Sequence, residues 1–231
     1  YTTLFRSDAR FALITPAHQS PLGVALSLAR RHQILEWADR SQAWIIEDDY
    51  DSEFRYHGKP LPALKSLDAP QRVIYAGTFS KALFPALRCA WLVLPVKQIA
   101  QFRHQASLAP CAVPVLWQNT LADFLREGHF WRHLKKMRQH YAQRRQWIEQ
   151  ALTQQGFQVV PQKGGIQMVI RMIGDDIAHA RKANAAGLAV QALSDWRIRS
   201  SGEGGLLLSF TNIVNEGMAR QVAQQLRKAL S

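Results

Sequence analysis

From residue 9 onward, short apolar runs alternate with stretches whose apolar positions recur three or four apart, the texture of strands alternating with helices. "RFALITP" reads as a buried strand and is followed by a Pro- and Gly-bearing loop, "AHQSPLG". "LSLARRHQILEWADR" carries Leu28, Ile34, Leu35 and Ala38 near helical spacing, "AWIIED" is a second strand, "RVIYAG" a third and "CAWLVLP" a fourth. That order predicts an α/β architecture with a largely parallel sheet. The stretch from Val113 to Gln155 predicts two helices interrupted near Gly128. Beyond it the texture changes. Residues 157–171, "FQVVPQKGGIQMVIR", read as a hairpin with a Lys-Gly-Gly turn, because the flanking runs are strand-like and glycine takes positive φ cheaply. A helix over 176–186 and strands near 188–193 and 205–210 follow. Asn215 then N-caps a closing helix in which Met218, Val222 and Leu226 repeat every four residues.

These elements divide the chain into a larger α/β part over 9–128, a connecting helix over 129–155 and a small α+β domain over 156–231. The opening "YTTLFRSD" does not join smoothly to the first strand, so residues 1–8 read as a non-native or junction segment. The 231 residues are 47% hydrophobic, which excludes a disordered chain. No stretch approaches the roughly 20 uninterrupted apolar residues of a membrane span, and no signal-peptide pattern opens the chain, so no membrane association and a cytoplasmic location are expected. The two cysteines, Cys89 and Cys111, have no metal-ligand spacing and read as reduced, buried small residues. The formal charge of +12 raises the question of nucleic acid. Its densest run, "REGHFWRHLKKMRQHYAQRRQ", interleaves basic residues with Phe130, Leu134, Met137 and Tyr141, as a helix with a solvated basic face does.

Ligands of open parallel sheets collect beyond the carboxyl ends of the strands. Three polar segments follow apolar runs here: "TPAHQSPLG", "EDDYDSEFRY" and "GTFSK". If their strands are neighbours, Asp48, Tyr50, Thr78, Ser80 and Lys81 converge on one crevice. A lysine held there can form a Schiff base when burial or nearby positive charge frees its amine, as pyridoxal phosphate requires. That cofactor also needs a carboxylate at its ring nitrogen and anion donors for its phosphate. Asp48 suits the first role, Tyr50 can donate to the ring hydroxyl, and Thr78, Ser80 and Arg88 can form part of a phosphate cup. Singly, each residue has a plainer reading as a surface lysine, a turn cap or a helix N-cap. Only their joint placement after strands tips the balance toward a site.

The blocks "TPAHQSPLGVALSLARR", "AWIIEDDYDSEFRYHGKPLPALKSLD", "RVIYAGTFSKALFPALR" and "MRQHYAQRR" resemble the aminotransferase-like domain of MocR-type regulators, a branch of the GntR transcription factors. The similarity runs from about residue 9 to the C-terminus. It implies a fold type I, PLP-dependent-transferase-like architecture, with 9–128 as part of the large PLP-binding domain, and a homodimer. It further implies pyridoxal phosphate on Lys81 as an internal aldimine, Asp48 at the ring nitrogen, Tyr50 at the ring hydroxyl, and Thr78, Ser80 and Arg88 at the phosphate. In this family a winged-helix domain, absent from this chain, binds DNA, and an earlier part of the aminotransferase-like domain, also absent here, contributes to the cofactor site. Two positions depart from related aminotransferases. Ser20 stands where many have an asparagine. Leu207 stands at the place of a carboxylate-clamping arginine, with Arg197 and Arg199 nearby.

Three functions follow. The first, which Leu207 and "EDDYDSEFRY" favour, is a regulator domain that senses an amino acid or amine, or PLP itself. The second is a catalytically active aminotransferase in which Lys81 also shuttles a proton. The third is a degenerate domain that no longer holds cofactor. Fold alone does not separate sensing from turnover.

Overall fold

The protein is described here by a computed structural model, which covers residues 4–108, 113–198 and 202–231. It forms two compact units: Tyr1–Gln19, Val24–Glu53 and Lys59–Leu134 make up the first, and Ser20–Gly23, Phe54–Gly58 and Lys135–Ser231 the second. The division therefore falls inside the long helix rather than at its start, and the second unit also takes two short segments from the N-terminal half. The reason for one of these is local: Arg55 bridges to Gly164 and the Tyr56 hydroxyl donates to the Gly165 carbonyl at 2.9 Å, tying 54–58 to the second unit.

In the first unit, β1 (Phe11–Ile14), β2 (Trp44–Asp49), β3 (Val73–Thr78) and β4 (Ala90–Val93) form one sheet in that order. β1, β2 and β3 run parallel and β4 is antiparallel, as its short connection from β3 allows. Helix α1 (Leu28–Arg40) is capped by Ser27 and turns Ile34, Leu35, Trp37 and Ala38 onto Ala12, Ile14, Ile45 and Val73. Leu4 and Phe5 pack against the same cluster and so take part in this unit's packing. Gly77 admits the Trp91 ring, which lies 2.2 Å from where a Cβ would stand. Helices α2 (Ile99–Leu108) and α3 (Val115–Arg126) follow, and α4 (His129–Gln154) starts after Gly128, whose φ of +73° breaks the helical run where the sequence predicts it.

The second unit holds an antiparallel sheet of β5 (Gln158–Val159), β6 (Gln167–Met172), β7 (Val190–Ala192) and β8 (Gly204–Ser209), ordered β5-β6-β8-β7. β5 pairs with β6 as expected, but the connection is not a tight Lys-Gly-Gly turn. Gly164 lies so close to the Phe54 carbonyl that a Cβ would stand 2.6 Å from it, so one of the two glycines serves a backbone approach instead. Helix α5 (Asp176–Ala185), helix α6 (Glu216–Leu230) and Ile148, Ala151 and Leu152 of α4 close the core around Met168, Ile170, Leu206 and Leu208. Asn215 caps α6 by accepting from the Met218 N–H at 2.8 Å, as its sequence predicts.

Candidate functional site

The parallel register pairs Ile14 with Glu47, Asp48 with Ala76 and Asp49 with Gly77. The carboxyl ends of β1, β2 and β3 therefore lie along one edge, and the loops beginning at Thr15, Tyr50 and Phe79 leave from it. Side chains alternate across a strand, so Asp48 and Thr78 share one face and Asp49 takes the other, toward α1.

The two adjacent aspartates are treated differently by their surroundings. Asp49 accepts on Oδ2 from the Tyr75 hydroxyl and from Ser52 Oγ, both at 2.8 Å, which ties β2 to β3 and to the loop that follows. Asp48 is half-buried and has neither a hydrogen bond nor an ion pair among the described residues. Burial pushes its carboxyl above the ordinary value, and the negative charges of Asp49 and Asp51 push it further. A cation or N–H donor brought to Asp48 would relieve that penalty.

Behind the edge, the loops are pinned by buried charge. Arg31, 2% exposed, donates to the carbonyls of Leu26 (3.0 Å), Pro62 (2.6 Å) and Pro16 (2.9 Å). Glu47, 1% exposed, accepts from the N–H groups of Leu64 (2.6 Å) and Lys65 (2.7 Å). Sequence reasoning missed both. Their signal was a charged residue on the buried stripe of a helix or strand, which pattern reading discards as surface.

The β3–β4 connection carries Ser80, Lys81 and Arg88. Thr78 Oγ1 donates to Ser80 Oγ at 3.0 Å and accepts from the Ser80 N–H at 3.1 Å, which folds the chain sharply after the strand. Phe79 packs against Trp91 and Phe130, and Ala82, 2% exposed, meets His133 Nε2 through its carbonyl at 2.9 Å. Lys81 lies between these two anchors and is exposed, with no hydrogen-bond or ion-pair partner among the described residues. Arg88 adopts φ +49°, uncommon for a residue with a side chain, and its guanidinium is likewise exposed and unpaired among the described residues. Cys89 is a free thiol, and Cys111 lies outside the described residues.

Tyr50 stands just past β2. Its hydroxyl donates to the His18 carbonyl at 3.2 Å and lies 3.3 Å from His18 Nδ1, which is 3.1 Å from Asp51 Oδ2. Sequence reading placed His18 in the right loop and gave it no role.

In the second unit, Leu207 is 2% exposed and clusters with Val169 and Leu193. Arg197 donates to the Glu203 carbonyl and its charge helps ionise Asp176, so its guanidinium is engaged locally. Arg199 lies outside the described residues. The peptide bond from Ser20 to Pro21 is cis, and Gln162 Nε2 donates to the Pro21 carbonyl at 3.3 Å.

A mostly parallel α/β unit with polar loops at one strand edge and a smaller antiparallel α+β unit are the two parts of an aminotransferase-like protein. The aminotransferase class I and II family matches residues 6–202, and the chain belongs to that family. Among curated relatives, it is 36% identical over 230 residues to the "Probable rhizopine catabolism regulatory protein MocR" of Rhizobium meliloti, covering 97% of this chain and 46% of that protein. It is 32% identical over 225 residues to the HTH-type pyridoxine biosynthesis transcriptional regulator PdxR of Corynebacterium glutamicum, covering 97% of this chain and 49% of PdxR. The chain thus spans about half the length of these relatives. Among solved structures, LysN, an α-aminoadipate aminotransferase of Thermus thermophilus complexed with N-(5'-phosphopyridoxyl)-L-leucine, matches with a TM-score of 0.86 at 26% identity, over 99% of this chain and 60% of LysN. The kynurenine aminotransferase of Pyrococcus horikoshii matches with a TM-score of 0.85 at 26% identity, over 96% and 56%. The fold type I architecture and the likeness to MocR-type regulators expected from the sequence motifs are both borne out.

Proposed function

We propose that this chain is the pyridoxal-phosphate-binding, effector-sensing part of a MocR-type transcriptional regulator, with Lys81 as the attachment point. The observation that carries this reading is a set of groups at one strand edge with no hydrogen-bond or ion-pair partner among the described residues: the half-buried Asp48 carboxylate, the exposed Lys81 amine and the exposed Arg88 guanidinium. They fit the three demands of the cofactor, which are a cationic ring nitrogen, an aldehyde and a phosphate. When bound, the cofactor supplies an aldehyde carbon open to amines and a ring that draws electrons. Asp48 would hold the ring nitrogen, Tyr50 the ring hydroxyl, and Thr78, Ser80 and Arg88 the phosphate, where the planar Arg fork can donate twice. The effector would be an amino acid or amine, DNA would be bound by a winged-helix domain, and the protein would act in the cytoplasm as a homodimer. The described residues include no helix long and apolar enough to cross a membrane.

Catalytic transamination is the second reading, favoured by the likeness to aminotransferases of solved structure. Burial of Leu207 in an apolar cluster weighs against it, because that position offers a substrate carboxylate no donor. The test is the visible absorbance of the longer protein with pyridoxal phosphate, read before and after adding amines and amino acids. A band that is present in wild type, lost in Lys81→Ala and shifted by an amine without release of keto acid supports sensing. Sustained keto-acid release assigns turnover instead, and an undiminished band in Lys81→Ala removes the lysine from its role.

A further inference from the structure

The loop after β1 and the loop after β2 meet at a polar cluster in which Tyr50 has a proposed role and His18 and Asp51 have none. His18 Nδ1 lies 3.1 Å from Asp51 Oδ2, whose side chain is 2% exposed, and 3.3 Å from the Tyr50 hydroxyl oxygen. Nδ1 must carry the hydrogen here, because a bare nitrogen would set its lone pair against those of the carboxylate. His18 Nε2 is buried and has no partner among the described residues, so the Nδ1 contacts orient the ring. The Tyr50 O–H donates to the His18 carbonyl at 3.2 Å. The single Nδ1–H is shared between Asp51 Oδ2 and the Tyr50 oxygen, so one residue meets the phenol from two sides, donating toward its oxygen through the ring and accepting its hydrogen through the backbone.

A donor on a phenol oxygen polarises the O–H bond and strengthens whatever hydrogen bond that O–H then makes. Asp51 fixes the donor, since a buried carboxylate accepting the Nδ1–H holds both the tautomer and the ring orientation. We propose that His18, braced by Asp51, is a positioning residue that aims the Tyr50 hydroxyl and strengthens its donation to a ring hydroxyl bound at this edge. This rests on the proposed cofactor reading. The Tyr50 hydrogen would turn from the His18 carbonyl to the ligand oxygen while the Nδ1–H stays in place. Asp48, whose carboxyl is raised partly by the charge of Asp51, would be screened from that charge by the same imidazole.

The experiment compares the pyridoxal phosphate absorbance spectrum and dissociation constant of the longer protein across variants. His18→Ala, Asp51→Asn and Tyr50→Phe are expected to move the band in one direction, with retention weakened by about tenfold in His18→Ala. His18→Asn keeps a donor near the Nδ1 position and is expected to restore most of the signature, whereas His18→Gln, with its amide near the Nε2 position, is not. The double variant His18→Ala/Tyr50→Phe should match Tyr50→Phe alone. A spectrum of His18→Ala and Asp51→Asn identical to wild type, while Tyr50→Phe shifts it, overturns this proposal and leaves the cofactor reading intact. Equal rescue by asparagine and glutamine, or additive shifts in the double variant, also overturns it. Absence of any Lys81-dependent band overturns both.

Discussion

Asp48 in the first unit and Asp176 in the second are carboxylates pushed in opposite directions. Asp176, 2% exposed at the start of α5, loses hydration, yet the N–H groups of Gly205 (2.9 Å) and Ser194 (3.1 Å) and the charge of Arg197 outweigh that loss, and its carboxyl sits below the ordinary value. Asp48 loses hydration too, but meets only other carboxylates, and its carboxyl sits above the ordinary value. A carboxylate that the fold satisfies is a structural part that joins β8 to the turn before it. One that the fold leaves unsatisfied raises the free energy of the ligand-free protein and lowers it only when a cation arrives. The same contrast runs through the strands. β8 is buried on both faces, with Leu206 and Leu208 in one cluster and Leu207 in another, whereas β1 buries Ala12 and Ile14 and leaves Phe11 and Leu13 at 61% and 70% exposure.

The largest expected effect tests whether Leu207 belongs to the scaffold. Leu207→Arg places an unpaired guanidinium among Val169 and Leu193, and should cost about 3 to 5 kcal/mol in thermal or denaturant unfolding, with no gain in affinity for carboxylate ligands. An unchanged melting temperature together with tighter carboxylate binding would mean that the position opens onto a ligand.

That strand also shows where sequence reading succeeds. Runs that the fold buries, such as β2, β3, β6 and β8, were legible because burial is what apolar patterning encodes. Helix α2 was not, because none of its residues is buried and "IAQFRHQASL" has no stripe to betray it. The candidate site was legible in part: Asp48 and Thr78 end apolar strand runs, and Tyr50, Ser80 and Lys81 follow directly after them. Arg31, Glu47 and the His18–Asp51 pair were not, since their meaning lies in contacts to carbonyls, N–H groups and side chains distant along the chain, and no local period records those.

A smaller effect concerns Asp176 in acid. Because its folded carboxyl lies below the unfolded value, its stabilisation is complete above roughly pH 4 and is lost as pH falls through the folded value. Asp176→Asn should lower stability at pH 7 by about 1 to 3 kcal/mol, and the wild-type and variant curves should converge once the pH has fallen below the folded value of the Asp176 carboxyl. Melting curves that stay parallel down to that pH would show that the carboxylate is not ionised by its donors.

The smallest effect carries the comparison's opposite sign. The folded Asp48 carboxyl lies above the unfolded value, so the fold is penalised when it is ionised, and the penalty fades as pH falls through the folded value. Asp48→Asn should therefore stabilise the ligand-free protein at pH 7, by less than about 1 kcal/mol for a half-exposed group, and the gain should vanish in acid. With pyridoxal phosphate present the order should reverse, because the asparagine cannot hold a protonated ring nitrogen as a carboxylate does. Paired melting curves with and without the cofactor read both signs at once. If Asp48→Asn destabilises the ligand-free protein, then Asp48 is satisfied as Asp176 is, and the distinction between a structural carboxylate and a waiting one fails at this residue.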